Sequence, residues 1–194
     1  TPLSGTLTYW VIDTVAAELG EWLGEHDDAR ISINVPPEIL GRGGLEYAAA
    51  RSGLRARADQ IVLEITERGI PDQLGLQALD AIAKHGVHIA LDDVSLKGVN
   101  LALLARCHFS VLKLDRHLTA ELVQDAPQPE WLAGLAALLR ECPMQIVAEG
   151  VERVHQADAL RAAGVQLAQG YLFSKTLTAS GFRRFYDRTT GRKA

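Results

Sequence analysis

The stretch that decides the fold runs Val87-His-Ile-Ala-Leu-Asp-Asp-Val94 and resumes at Val111-Leu-Lys-Leu-Asp115. Both pieces are short aliphatic runs, and Asn100 to Arg106 between them carries a helix-like pattern. Strand, helix and strand in that order read as a βαβ unit with parallel strands. The same alternation continues outward. Further candidate strands lie at Ile31–Val35, Ile61–Thr66, Gln145–Gly150 and Gln166–Phe173. Helical periodicity marks residues 7–23, Asp72–Lys84, 131–140, Glu152–Ala163 and Ala179–Tyr186. Pro36-Pro37, Gly41 to Gly44, Gly69 to Pro71, Gly86 and Pro127 to Pro129 punctuate them as loops.

This pattern predicts an α/β fold with a mainly parallel sheet. Two architectures satisfy it, a doubly wound open sheet and a (β/α)8 TIM-like barrel. A nucleotide-binding open sheet usually carries a Gly-rich turn after its first strand, and none follows Ile31–Val35. A barrel needs eight strands in roughly 250 residues, and about six are legible here. The chain also opens at Thr1 without a Met, already on the approach to a helix. The expectation is therefore a barrel incomplete at its N-terminus, with residues 1–194 as one domain.

Composition excludes several functions. The 194 residues hold 20 Lys plus Arg against 24 Asp plus Glu, a formal net charge of −4. No cationic surplus exists to neutralise a phosphate backbone, so a nucleic acid polymer is not the expected partner. With 47% hydrophobic and 23% charged residues the chain is of ordinary globular composition. Cys107 and Cys142 are too few for a disulfide framework and are expected in the core, in a reducing cytoplasmic setting. No apolar run is long enough for a membrane span, which leaves open whether a longer parent protein is membrane-anchored.

The chemistry is carried by polar residues inside these apolar strands. Asn34 closes the first and Glu64 lies in the second, with Glu67 just beyond it. Asp92 and Asp93 end the third, Lys113 and Asp115 lie in the fourth, Glu149 ends the fifth and Gln169 lies in the sixth. Charges in strands are costly unless paired or bound to metal. The C-terminal strand ends of a barrel form its catalytic face. Carboxylates and amides alone suit hard cations such as Mg²⁺ or Mn²⁺, and an adjacent Asp pair suits a two-metal phosphodiester hydrolase. Alternation puts Val111 and Lys113 on one face, where Lys113 could hold the attacking water or neutralise phosphoryl charge. Asp115 reads as a helix cap, and the six histidines read as surface residues without metal-ligand spacing.

Six segments then resemble one family, in order along the whole chain. They are Ser32-Ile-Asn-Val-Pro, Leu63-Glu-Ile-Thr-Glu-Arg, Ile89-Ala-Leu-Asp-Asp, Leu112-Lys-Leu-Asp-Arg, Ile146-Val-Ala-Glu-Gly-Val-Glu and Gln169-Gly-Tyr-Leu-Phe-Ser. They are similar to the motifs of bacterial EAL domains, cyclic di-GMP phosphodiesterases built on a modified (β/α)8 barrel. The resemblance implies that Asn34, Glu64 and Asp92 are ligands of a first metal, and Asp92, Asp93 and Glu149 of a second. It casts Lys113, Glu149 and Gln169 as catalytic, Glu67 as a brace for the loop after the aspartates, and Glu152 as a further family glutamate. It implies two-metal activation of water with Mg²⁺ or Mn²⁺, cyclic di-GMP as substrate, a homodimer, and an upstream sensory or regulatory domain in the parent protein.

Two features depart from the family pattern. The Glu-Ala-Leu signature and its neighbouring arginine are absent, as expected of a truncated start. The family's loop after the aspartates is replaced by Asp92-Asp-Val-Ser-Leu-Lys-Gly-Val-Asn100. These departures keep a second function open beside the hydrolase: a catalytically degenerate EAL-like module that binds cyclic di-GMP or a protein partner as a sensor.

Overall fold

A computed structural model describes residues 2–66, 69, 71–95, 107–139 and 143–191. Six strands pair in one sheet: β1 (Ile31–Asn34), β2 (Ile61–Thr66), β3 (His88–Val94), β4 (Val111–Leu114), β5 (Gln145–Ala148) and β6 (Leu167–Ala168). Every pairing is parallel, and the spatial order equals the chain order, β1 to β6. A doubly wound sheet would reverse its order at a switch point. This one winds in a single direction, as a barrel does, but among the described residues it has six strands, with β1 and β6 at its two edges. The incomplete barrel expected from the sequence is the observed architecture.

Helices follow the strands: α1 (Pro2–Glu25), α2 (Gly44–Ser52), α3 (Gln73–Lys84), α4 (Arg116–Ala120), α5 (Glu130–Leu139), α6 (Val154–Ala162) and α7 (Ala179–Thr190). The sheet buries its two faces differently. Ile33, Leu63, Ile65, Leu91, Leu112 and Ile146 point outward into the main core beneath the helices. Val62, Ala90, Val111 and Val147 point the other way and form a separate small cluster on the concave face. Period-2 alternation produces both cores from the same strands. At one end of the structure, α7 is fastened to α1 by aromatic contacts, Trp22 lying edge-on to Phe182 and Tyr186. Among the described residues no helix is long and apolar enough to cross a membrane.

Several boundaries differ from the sequence expectation for local reasons. β5 stops at Ala148 because Gly150 takes φ +66°, which turns the chain. β6 is two residues long, not the eight of Gln166–Phe173, because the chain folds back after Gln169 into turns that close on Gly170. α2 was not anticipated; it is short, bracketed by the left-handed glycines Gly43 and Gly53, and buries only Leu45 and Ala48. Asp72 caps α3 by accepting from the Gly75 N–H at 2.9 Å, and Asp115 caps α4 through the His117 N–H at 2.7 Å, as expected of it.

His85, His108 and His117 are exposed, whereas His26, His88 and His155 are half-buried, so the surface reading holds for three of the six. The His155 Nε2 lies 3.0 Å from the Leu122 carbonyl, and His26 stacks on Trp22 with ring centroids 4.2 Å apart. Cys107 is a free, half-buried thiol packed against the core, and burial raises its pKa. Cys142, Glu67 and the helix expected at Asn100–Arg106 lie outside the described residues, as does most of the loop that follows Asp93.

Candidate active site

The C-terminal ends of β2 to β6 bring their polar residues to the concave face. Lys113 is at the centre, 5% exposed. Its Nζ lies 2.8 Å from Glu64 Oε2, 3.0 Å from Asp92 Oδ1 and 2.6 Å from Glu149 Oε1, so three strands are drawn onto one ammonium. Gln169, from the end of β6, donates its Nε2–H to Glu149 Oε1 at 2.9 Å. Below this layer, a cavity of about 270 Å³ runs along the concave face, lined among others by Arg30, Ser32, Glu64, Lys113 and Gln169. Burying a lysine among apolar valines is tolerable because its carboxylate partners are buried with it.

The adjacent aspartates need a backbone device. In a regular strand, neighbours point to opposite faces, so only one could reach the site. The β3–β4 register runs Ala90 to Val111 and Leu91 to Leu112, then jumps to Val94 opposite Leu114. Asp92 and Asp93 therefore stand together against Lys113 alone, a β-bulge. Asp93 adopts φ +58°, a left-handed conformation that costs a non-glycine residue roughly 1–2 kcal/mol. The result is that oxygens of Asp92, Asp93 and Glu149 all lie within 4.8 Å of one another.

The electrostatics follow from this crowding. Burial alone would depress the Lys113 ammonium, but hydrogen bonds to Glu149 and Glu64 and the nearby Asp92 charge raise its pKa well above the ordinary lysine value. Burial raises the pKa of Glu149, and the Asp92 and Glu64 charges push the same way against the opposing pull of Lys113. Three carboxylates thus share the Lys113 ammonium, with Asp93 beside two of them. Asp92 Oδ1 is fully buried, and although it is ion-paired at 3.0 Å it has no hydrogen bond of good geometry. An all-oxygen donor set with surplus negative charge and an under-satisfied buried oxygen suits a hard divalent cation.

The remaining candidates sit further out. Asn34 ends β1 in register with Glu64, but it is exposed and makes no side-chain hydrogen bond to the described members of the cluster. Glu152 lies beyond the Gly150 turn, exposed and outside the carboxylate group. Sequence reasoning passed over Gln156, which is 7% exposed and ties the segment after β5 to α4. It also passed over Gly150 and Gly170. A Cβ on Gly170 would stand 2.1 Å from the Val151 carbonyl oxygen, and one on Gly150 would stand 2.5 Å from Arg116 Cβ. Two glycines and a glutamine bracketing an acidic strand end were the available signal.

Comparison with known proteins accords with this geometry. The probable cyclic di-GMP phosphodiesterase PdeB of Escherichia coli (strain K12) is 28% identical over 190 residues, which is 96% of this chain and 36% of that protein. The chain thus spans about a third of the length of that curated relative. The crystal structure of the EAL domain of Mycobacterium smegmatis DcpA superposes with a TM-score of 0.80 at 30% identity, covering 99% of this chain and 88% of that one. A manganese and cyclic di-GMP complex of Klebsiella pneumoniae BlrP1 superposes with a TM-score of 0.73 at 26% identity, covering 90% of this chain and 44% of that one. A family model described as the EAL domain matches residues 1–176. With that match over most of its length, the chain belongs to the EAL domain family.

Proposed function

We propose that this chain carries the hydrolytic centre of a cyclic di-GMP phosphodiesterase, opening one phosphodiester to give linear pGpG. The observation that supports it most is the bulge that turns Asp92 and Asp93 together toward Glu149, because no packing need explains a strained, acid-rich strand end. In this reading Asp92, Asp93 and Glu149 would hold one divalent cation, and Asn34, Glu64 and Asp92 would contribute to a second. When bound, Mg²⁺ or Mn²⁺ would acidify water and neutralise charge on the phosphoryl oxygens.

The chain's own residues supply the rest. Lys113, fully charged and fixed by three carboxylates, orients the attacking water and stabilises negative charge developing at phosphorus. Gln169 fixes Glu149 through its amide. Glu149, whose carboxyl is lifted by burial, takes the water's proton as the new P–O bond forms, and the O3′ oxygen takes a proton from solvent as the P–O3′ bond breaks. The test is incubation of this chain with cyclic di-GMP and Mn²⁺, resolving pGpG chromatographically, with EDTA as the control. Metal-dependent pGpG supports the hydrolase. Saturable cyclic di-GMP binding without turnover would instead favour a degenerate sensor module, the reading suggested by the altered sequence after Asp93.

A further inference from the structure

We infer that Gln156 is a positioning residue for this site, acting as a clamp between the helix that follows the Lys113 strand and the segment that follows Glu149. The inference rests on the metal-centre reading given above. Gln156 is on the first turn of α6, buried, and touches none of the acidic groups. Its Oε1 accepts from two successive backbone amides, Glu152 N–H at 2.9 Å and Arg153 N–H at 3.0 Å. Its Nε2 donates to the Thr119 carbonyl at 3.1 Å. Thr119 belongs to α4, which Asp115 caps only two residues beyond Lys113. Glu152 lies three residues beyond Glu149. One side chain therefore joins the exit of β4 to the exit of β5.

The neighbouring contacts show why the join is positional. Glu149 N–H bonds to the Leu114 carbonyl at 3.1 Å, which fixes its backbone to β4. Gly150 then turns directly over Arg116 at the start of α4, too close to admit a Cβ. Val151, 0% exposed, donates to the Gln169 carbonyl at 3.0 Å and accepts from Leu172 N–H at 3.0 Å. The segment from Glu149 to Arg153 is thus anchored at its start by β4 and in its middle by the Gln169 loop. At its far end the Arg153 carbonyl accepts from the Gln156 and Ala157 N–H groups at 3.2 and 3.3 Å as α6 begins, and Gln156 Oε1 closes that cap while its Nε2 alone reaches across to α4. Without these side-chain bonds the two amides and the Thr119 carbonyl lose their partner, which frees the segment to move away from α4. Such a movement lengthens the 2.6 Å Lys113–Glu149 contact and loosens the oxygens gathered around Asp92. Outer residues that orient metal ligands typically change metal affinity 10- to 100-fold when altered.

The molecule provides its own control. Gln60 is a second buried glutamine, 3% exposed, whose Nε2 reaches the carbonyls of Leu23, His26 and Ala29 at 3.1, 2.8 and 3.1 Å, at the opposite end of β2 from Glu64. Gln156→Met and Gln60→Met each delete a buried amide with three polar contacts and keep the side-chain volume. Mn²⁺ titration by calorimetry, paired with amide hydrogen exchange over residues 148–156, distinguishes them on the whole chain. The expected result is that both variants melt earlier, but only Gln156→Met binds Mn²⁺ at least about tenfold more weakly and loses protection at the Glu149 and Val151 amides. Equal Mn²⁺ affinity in wild type and Gln156→Met, or an equal loss in both variants, would overturn the role of Gln156. Wild-type protein that takes up no Mn²⁺ would instead overturn the metal-centre reading itself.

Discussion

Replacing Lys113 by methionine keeps the side-chain volume and removes one charge. In the wild type the ammonium lies 2.8, 3.0 and 2.6 Å from Glu64, Asp92 and Glu149, and these side chains are between 6% and 18% exposed. At an effective dielectric of about 20, each such pair attracts by roughly 6 kcal/mol before desolvation is counted. Most of that gross attraction offsets the cost of burying the ions. What a variant reveals is the penalty of leaving carboxylates buried with no counter-ion, which is about 3–5 kcal/mol for a broken buried pair. Against a domain stability of about 5–15 kcal/mol this is a large share. It corresponds to a fall in melting temperature of roughly 6–20 °C for a chain of this size. Urea denaturation in EDTA measures the loss, and added Mn²⁺ should return part of it, because a divalent cation neutralises the same carboxylates. Turnover of cyclic di-GMP at saturating Mn²⁺ should drop by roughly 10²-fold or more, the scale of losing one transition-state donor. Cyclic di-GMP affinity should change far less. A Lys113→Met protein within about 1 kcal/mol of wild type in EDTA would show that the cluster is not electrostatically coupled. Unchanged turnover would show that Lys113 only balances charge.

Asp93→Gly should stabilise the metal-free chain by about 1 kcal/mol, since glycine holds the left-handed conformation without a Cβ penalty. Its Mn²⁺-induced rise in melting temperature should shrink at the same time, and a variant that loses stability would refute the strain at the bulge. Gly170→Ala should cost roughly 1–3 kcal/mol, because its Cβ would meet the Val151 backbone and its φ of +155° disfavours L residues; thermal melting reads the loss, and an unchanged midpoint refutes it. The Gly75 N–H and the Arg42 guanidinium beside Asp72 hold its carboxyl below the ordinary value of 3.8. A depressed folded pKa means that this contribution is complete above pH 3.8 and fades as pH falls through the folded value. Asp72→Asn should thus lessen the decline of the urea midpoint below about pH 4 and leave its slope at neutral pH unchanged; a slope altered near pH 7 would contradict the sign.

Much of the fold was legible in the amino-acid sequence, because β-branched and aliphatic runs such as Ile61–Thr66 form strands wherever helices can cover them, and Asp72 and Asp115 mark their helix starts by local hydrogen bonds. The chemistry was partly legible for the same reason: a charge inside an apolar strand, as at Lys113 or Glu64, is costly unless something nearby compensates it. Local pattern could not say which charges would meet. Strict alternation would send Asp92 and Asp93 to opposite faces, and only pairing with β4 makes two residues share the place of one. Asn34 has the right strand position and lies in register with Glu64, yet it ends an edge strand, exposed, and stays outside the hydrogen-bonded cluster. Gln156 reads as an ordinary polar residue at a helix start until the tertiary fold buries it against α4, whose Thr119 is more than thirty residues away in the chain. Residue type and period act over a few positions, whereas register, bulge and burial are set by contacts between segments distant in the chain, and these decided the geometry of the site.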